Sequence, residues 1–427
     1  MFKVRHKPSY TAKLFFMFMM FMWVASVTPL TGFNFSKNPI LMPIYLMIIL
    51  HYYANYCWRS KKPLLYVVGI FGIWFIFSCL KYHSIQPFQF PPLYSIAIAH
   101  IAFNIFEKKE FLKFFEDVLV KLCVLSLVVW GAANVIGGPF VDFMHSIAVL
   151  ENAPPTETNS IIVGLGSQFE MGIRRNIGFT WEPGRFSCWI ILGMFTNMIR
   201  HNFSFILIWK NKNFLILLLS LLSTFSTTGY SALGIIILCY ILNKKSFLLK
   251  AIIITVSILL IPSILAYPFM KEKIVDLLDI ENDFQTITYY SEIKEMKEVC
   301  PQRFTGLFVS WKNFIHDTLL GYGRLTNSYT TAVTFNNSVT VAPSEGAIGI
   351  FAKYGVFVGS FFYYWLSKSS KYLAKTLNYN GKYLFFILFI VISFSYDWWE
   401  NCILMYFYLS AFYNKFDSRY FEEERLS

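Results

Sequence analysis

Three arginines and one carboxylate crowd into the stretch Gly172-Ile173-Arg174-Arg175-Asn176-Ile177-Gly178-Phe179-Thr180-Trp181-Glu182-Pro183-Gly184-Arg185, which runs straight into an apolar segment. A guanidinium is always charged and offers a planar fork that matches phosphate oxygens. Arg174, Arg175 and Arg185 at such a mouth therefore suit a pyrophosphate held at a lipid surface. The competing reading is salt bridging and head-group contact, because charge beside a bilayer often serves only as an anchor. Glu182, next to Trp181, is expected to be partly desolvated and hence paired or functional. It is either a base or the group that holds an arginine in place.

A second set of residues begins at Pro301-Gln302-Arg303 and ends at Gly321-Tyr322-Gly323-Arg324. Between them Phe304, Leu307, Phe308, Trp311 and Ile315 recur at helical spacing, which predicts an amphipathic helix lying at an interface, started by Pro301 and stopped near Gly321. Arg303, Ser310 and Asp317 share its polar side, and the aromatic stripe needs no ligand to explain it. His316 is a lone loop histidine, more often solvated than catalytic, and Tyr322 between two glycines could form a sugar-contacting turn with Arg324. Lys353, inside a later apolar segment, is expected to snorkel to the interface and is given no role.

The elements that must position these groups are apolar. Of 427 residues 56% are hydrophobic and 15% charged, against roughly a quarter charged in a soluble domain. Apolar runs of the length needed to cross roughly 30 Å of hydrocarbon recur throughout. The expected class is an all-α polytopic membrane protein with about a dozen spans, at 14–31, 39–58, 64–80, 91–106, 118–137, 186–199, 213–225, 229–243, 251–268, 346–366, 383–397 and 398–414. Residues 213–243 flank Ser226-Thr227-Thr228-Gly229, read as a tight outer turn or a break in a re-entrant pair, and the join at Asp397-Trp398-Trp399-Glu400 has the same ambiguity. The basic N-terminus, 1–13, reads as the start of a retained signal anchor.

Charge supports this topology. With the N-terminus inside, the inner segments hold 23 of the 37 Lys and Arg, whereas the short outer loops hold only Lys37 and Lys81. Both termini are then cytoplasmic, and one integral membrane domain, 1–427, carries two large outer loops, 138–185 and 269–345. The net charge of +12 is spread between apolar runs instead of gathered on one face, so no nucleic acid partner is expected. Six of seven cysteines lie in or beside apolar segments, which leaves no disulfide framework and no Cys-type zinc site. Phosphate-loop, zinc-protease and nucleophile-elbow motifs are absent, and the loop 32–37 has no acid to hold a metal, so neither metal nor cofactor is expected.

In layout and in motif order the chain resembles the O-antigen polymerase and ligase superfamily of bacterial envelope glycan assembly. The likeness rests on Gly178-Phe179-Thr180-Trp181-Glu182-Pro183-Gly184, on Ser226-Thr227-Thr228-Gly229-Tyr230, and on 303–311 followed by Leu320-Gly321-Tyr322-Gly323. The resemblance implies a metal-independent glycosyl transfer at the periplasmic face of the inner membrane. Its substrates would be undecaprenyl-pyrophosphate-linked oligosaccharides as donor and acceptor, with membrane lipid and a chain-length regulator as further candidate partners. Ligases carry a His-Asn pair before the Glu-x-Gly that opens the next span. Here Phe335-Asn336-Asn337-Ser338 precedes Ser344-Glu345-Gly346 without the histidine, which favours polymerase unless His316 substitutes. The expected roles are Arg174, Arg175 and Arg303 on the leaving pyrophosphate, Glu182 as base or arginine holder, and Arg185, Arg324, Tyr322, His316 or Glu345 on sugar or phosphate. A flippase should line mid-membrane helices with charge, and a scaffold would leave the arginine clusters unexplained.

Overall fold

The computed structural model of the chain describes residues 7–22, 41–57, 61–83, 91–147, 156–159, 162–170, 172–204, 210–243, 255, 279–292, 298–323, 328–335, 338–343, 346–394, 396–398 and 401–416. It is mostly helical. The helices are α1 (Tyr10–Met22), α2 (Leu41–Tyr56), α3 (Lys62–Tyr82), α4 (Pro91–Ile105), α5 (Lys108–Ile136), α6 (Gly138–Ser146) and α7 (Pro183–Arg200). Next come α8 (Lys212–Ser223), α9 (Thr227–Asn243), α10 (Ile280–Glu292), α11 (Arg303–His316), α12 (Gly349–Thr376), α13 (Leu384–Ser393) and α14 (Cys402–Phe416). Every expected span overlaps one of these helices in its described part except 251–268, of which only residue 255 is described; residues 23–31 of the first span also lie outside the described residues.

Their lengths differ from the sequence expectation. Among the described residues α3 and α5 are long and apolar enough to cross a membrane, while the apolar parts of α1, α4, α8, α9, α13 and α14 are 10–17 residues long. α12 is long but carries lysines and is interrupted at Gly355. Among the described residues strand is confined to short pairs: β1 (Thr156–Asn159) with β2 (Gly164–Gly166), β3 (Phe169–Glu170) with β4 (Ile173–Arg174), and β5 (Glu298–Val299) with β6 (Thr340–Val341). The first two pairs are antiparallel, Phe169 facing Arg174, and the third is parallel.

α7 is the axis of the fold. Every residue from Pro183 to Ile199 is buried, because α5, α8 and α9 pack around it. A helix buried on all sides must have its polar ends met by partners. At its C-terminal end Arg200 pairs with the fully buried Glu116 of α5 at 2.5 Å, and Asn197 and Asn213 donate to the same carboxylate. α14 forms a second buried axis against α4, α12 and α3.

α12 contains the fold's main irregularity. At Gly355 the backbone turns to φ 77°, ψ 178°, and the loop after α11 fills the gap. Val356 N donates to Thr318 O at 2.8 Å, while Tyr322 N and Gly323 N donate to Ala352 O and Lys353 O. These bonds replace the ones the helix loses there. From the other side α3 holds the loop, Trp74 donating to Leu320 O and Tyr82 to Gly321 O. A Cβ on Gly355 would lie 2.0 Å from Leu319 O, in a backbone region open essentially to glycine. Gly355→Ala is expected to lose about 1–3 kcal/mol from backbone strain alone, read as a lower melting temperature of the detergent-solubilised protein at unchanged helix content.

Candidate active site

The mouth of α7 is built by a run of turn-formers. Gly178 at φ 59° packs under the Phe186 ring, and the Thr180 hydroxyl donates to Ile177 O and Glu182 O. Pro183 starts the helix with a preset φ, which leaves Glu182 extended at φ −143°. The Glu182 side chain caps no amide of its own helix and instead crosses to α11.

There Arg303 Nη2 donates to Glu182 Oε1 at 2.6 Å and to the Tyr396 hydroxyl at 3.0 Å. Arg303 lies at the first position of α11, so one ion pair joins the N-terminal ends of two helices that are 121 residues apart in sequence. Tyr396 comes from the turn between α13 and α14, and both guanidiniums rest on its ring, Arg303 at 4.5 Å and Arg185 at 4.8 Å from the centroid. Arg185 also lies 5.3 Å from the Trp181 ring. The Glu182 and Arg303 side chains keep 24% and 25% exposure, so the pair is reachable from outside the fold. Two cations against one carboxylate, stacked on an aromatic face, form a positively biased cluster.

Burial alone would push the Glu182 carboxyl up, but Arg303 and Arg185, with a hydrogen bond to Tyr396, hold it below the ordinary carboxylate range. Burial disfavours the Arg303 cation, and the adjacent carboxylate more than offsets this, raising its pKa. Burial also pushes the Tyr396 hydroxyl well up, so it stays neutral. A carboxylate clamped in this way is a weak base and a good anchor for a guanidinium.

The remaining sequence candidates separate. Arg175 is committed to structure: Nε and Nη2 donate to Thr224 O and Phe225 O, the last carbonyls after α8, and Nη1 donates to Gln168 Oε1. It still lies within electrostatic reach of Glu182 and Tyr396. Arg174 donates to Gly166 O at 2.7 Å, stacks on Phe169, and is fastened through its backbone to Trp130 and Asn134 of α5. His316 is 56% exposed beside Asp317 and stacks on Tyr329, at the opposite end of α11 from Arg303, about 20 Å along the axis at 1.5 Å per residue. Tyr322 does not form an outward sugar-contacting turn: its side chain is 1% exposed, because its turn is consumed in bridging the break in α12. Arg324 and Glu345 lie outside the described residues.

Other residues of the site were not singled out in the sequence. Tyr396 fell within an expected span, and its only signal was the polar interruption at 395–397. Lys353, given no role in the sequence, pairs with Asp397, the residue after Tyr396. Asn176 is buried and ties the arginine segment to α5 and α8 by donating to Ser126 and Ser223, while accepting from Gly178 N. Among the described residues no three His, Cys, Asp or Glu side chains converge in a way that could hold a metal.

Because the Glu182 carboxyl is depressed in the folded state, its pairing stabilises the protein fully above the unfolded value of about 4.3 and is lost as pH falls below it. Wild type should melt above Glu182→Gln near neutral pH, and the difference should narrow progressively as pH falls below the unfolded value of about 4.3; melting curves across that range check this. No family model, no curated protein and no solved structure matches the chain.

Proposed function

We propose that this chain polymerises a repeat-unit polysaccharide such as O-antigen, as a multi-pass bacterial inner-membrane protein whose active site faces the periplasm. The observation that carries this reading is the Glu182–Arg303 pair, which joins one loop region, 138–185, to the other, 269–345. The twelve spans expected from the sequence, with both termini cytoplasmic, would put those two regions on the same side. Cations collected there from both regions suit a shared anionic substrate better than two separate head-group anchors.

α11 adds support. Phe304, Phe308, Trp311 and Ile315 are exposed along one face, whereas Thr305, Gly306, Val309, Ser310 and Asn313 turn inward. An aromatic face directed away from the protein suits a lipid surface, and it would hold Arg303 at the level of a lipid-borne pyrophosphate.

In the reaction, a hydroxyl of the acceptor sugar attacks the anomeric carbon of the donor as the bond to the pyrophosphate oxygen breaks. That oxygen leaves with the electron pair, and Arg303 and Arg185 stabilise the developing charge. Glu182 orients Arg303 beforehand. The attacking oxygen becomes a protonated ether, acidic enough that even a depressed carboxylate can accept the proton late in the step. One displacement inverts the anomeric configuration.

Complementation of a null strain tests the reading. Wild type should restore a ladder of glycan lengths on the cell surface. Arg303→Ala and Glu182→Ala at equal abundance should collapse it to a single repeat on the lipid A core, with transfer reduced by about 100-fold or more. Arg174→Ala, whose guanidinium serves the β2 to β4 region, should act chiefly through lowered abundance. Long lipid-linked polymer over bare core in the null strain would identify a ligase, and single units retained on the cytoplasmic leaflet would identify a flippase.

A further inference from the structure

Lys121 of α5 is an exposed cation with no role in the site. Among the described residues its ammonium forms no salt bridge and no hydrogen bond. Asp117, one turn earlier, lies within its electrostatic reach but is shared with Arg200 and Lys113. α5 is long and apolar enough to cross a membrane, and Lys121 falls inside its apolar part. A charge there is costly unless water or an anion meets it.

Lys121 also lines a groove of about 450 Å3 between α1 and α5. Leu14, Phe15 and Phe18 of α1 form one wall and Leu122 and Leu125 of α5 the other, each set spaced so as to share a helix face. Phe16, Met17 and Met20 of α1 turn into the bundle instead, so the groove opens outward, where Phe15 and Leu125 are exposed. Along α5 it runs from Val118 to Leu125, about 10 Å. Its volume takes one fatty acyl chain. Lipid tails are as apolar as leucine, so the groove by itself gives no reason to prefer one lipid over another. The lysine supplies that reason. A helical side chain leans toward the N-terminus of its helix, and a lysine stem lies along apolar surface. The ammonium is thus directed toward the membrane surface on the side where α5 begins, the level of lipid head groups.

We propose that the groove between α1 and α5 binds one acyl chain of an anionic phospholipid whose negatively charged head group is met by Lys121. The inference needs the chain to sit in a bilayer and is independent of the transfer reaction proposed above.

The test is native mass spectrometry of the full-length protein released from nanodiscs holding equal parts of phosphatidylglycerol and phosphatidylcholine. Wild type should retain one phosphatidylglycerol in preference to phosphatidylcholine by about fivefold, the scale of one lysine facing an anionic lipid. Lys121→Gln should bring that ratio near one at an unchanged melting temperature. Leu125→Trp fills the groove from an exposed position and should lose the retained lipid of either kind. Lys113→Gln removes an exposed lysine of the same helix outside the groove and should leave the ratio at its wild-type value. The proposal is overturned by a wild type without preference, by Lys121→Gln keeping the preference, by Leu125→Trp keeping the lipid, or by an equal loss of preference in Lys113→Gln.

Discussion

A carboxylate at the mouth of a helix buried on every side has to be met by a cation. Here the cation that hydrogen-bonds it comes from a distant part of the chain, while Arg185 of the same helix adds its field. Glu182 starts α7, whose circumference is closed by α5, α8 and α9, and Arg303 of α11 meets it. That pairing fixes where α11 begins and, with it, the placement of the loop that follows. The loop then threads the break in α12 between Ala352 and Val356. Lys353, just before the break, holds Asp397 and so holds the Tyr396 turn. The pair, the broken helix and the Tyr396 turn are links of one chain of constraints.

The arginines divide their work according to what their forks already hold. Arg174 and Arg175 donate to backbone carbonyls, which makes them the staples of the segment before α7. Arg303 donates to groups that themselves carry charge or a hydroxyl, and Arg185 lies over two aromatic rings. A guanidinium spent on carbonyls stabilises a turn, whereas one set against a carboxylate and a ring face ties together side chains from different elements. Asn176, with four hydrogen bonds to α5, α8 and the Gly178 turn, keeps the two groups of arginines in register.

Glu116 does at the other end of α7 what Arg303 does at the mouth. It is fully buried and receives Arg200, Asn197 and Asn213, so the central helix is pinned by ionic contacts at both termini. Removing either anchor would leave an unpaired charge inside the fold, which costs far more than the pair itself contributes. Specificity of placement, more than net stability, is what such pairs supply to a helix that apolar packing alone would let slide or rotate.

Although α6 and α10 fall inside the stretches read as outer loops, apolar runs located most of the helices, because a run of hydrophobic residues without interior breakers forms one in any apolar surrounding. The same holds for Glu182 and Arg303 as candidates, since a charge set against a tryptophan or at a helix start stands out in an apolar sequence. Which partner each would find was not legible: Glu182 and Arg303 are 121 residues apart, and pairing across that distance follows from how α7, α11 and α12 pack. Nor could composition foresee that Lys353 would pair with Asp397, that Tyr322 would be consumed in a helix break, or that Tyr396 would carry two guanidiniums. Local pattern determines which segments are helical and which groups are costly to bury. Tertiary packing decides who neutralises whom, because a buried charge accepts only the partner that the surrounding helices bring within reach.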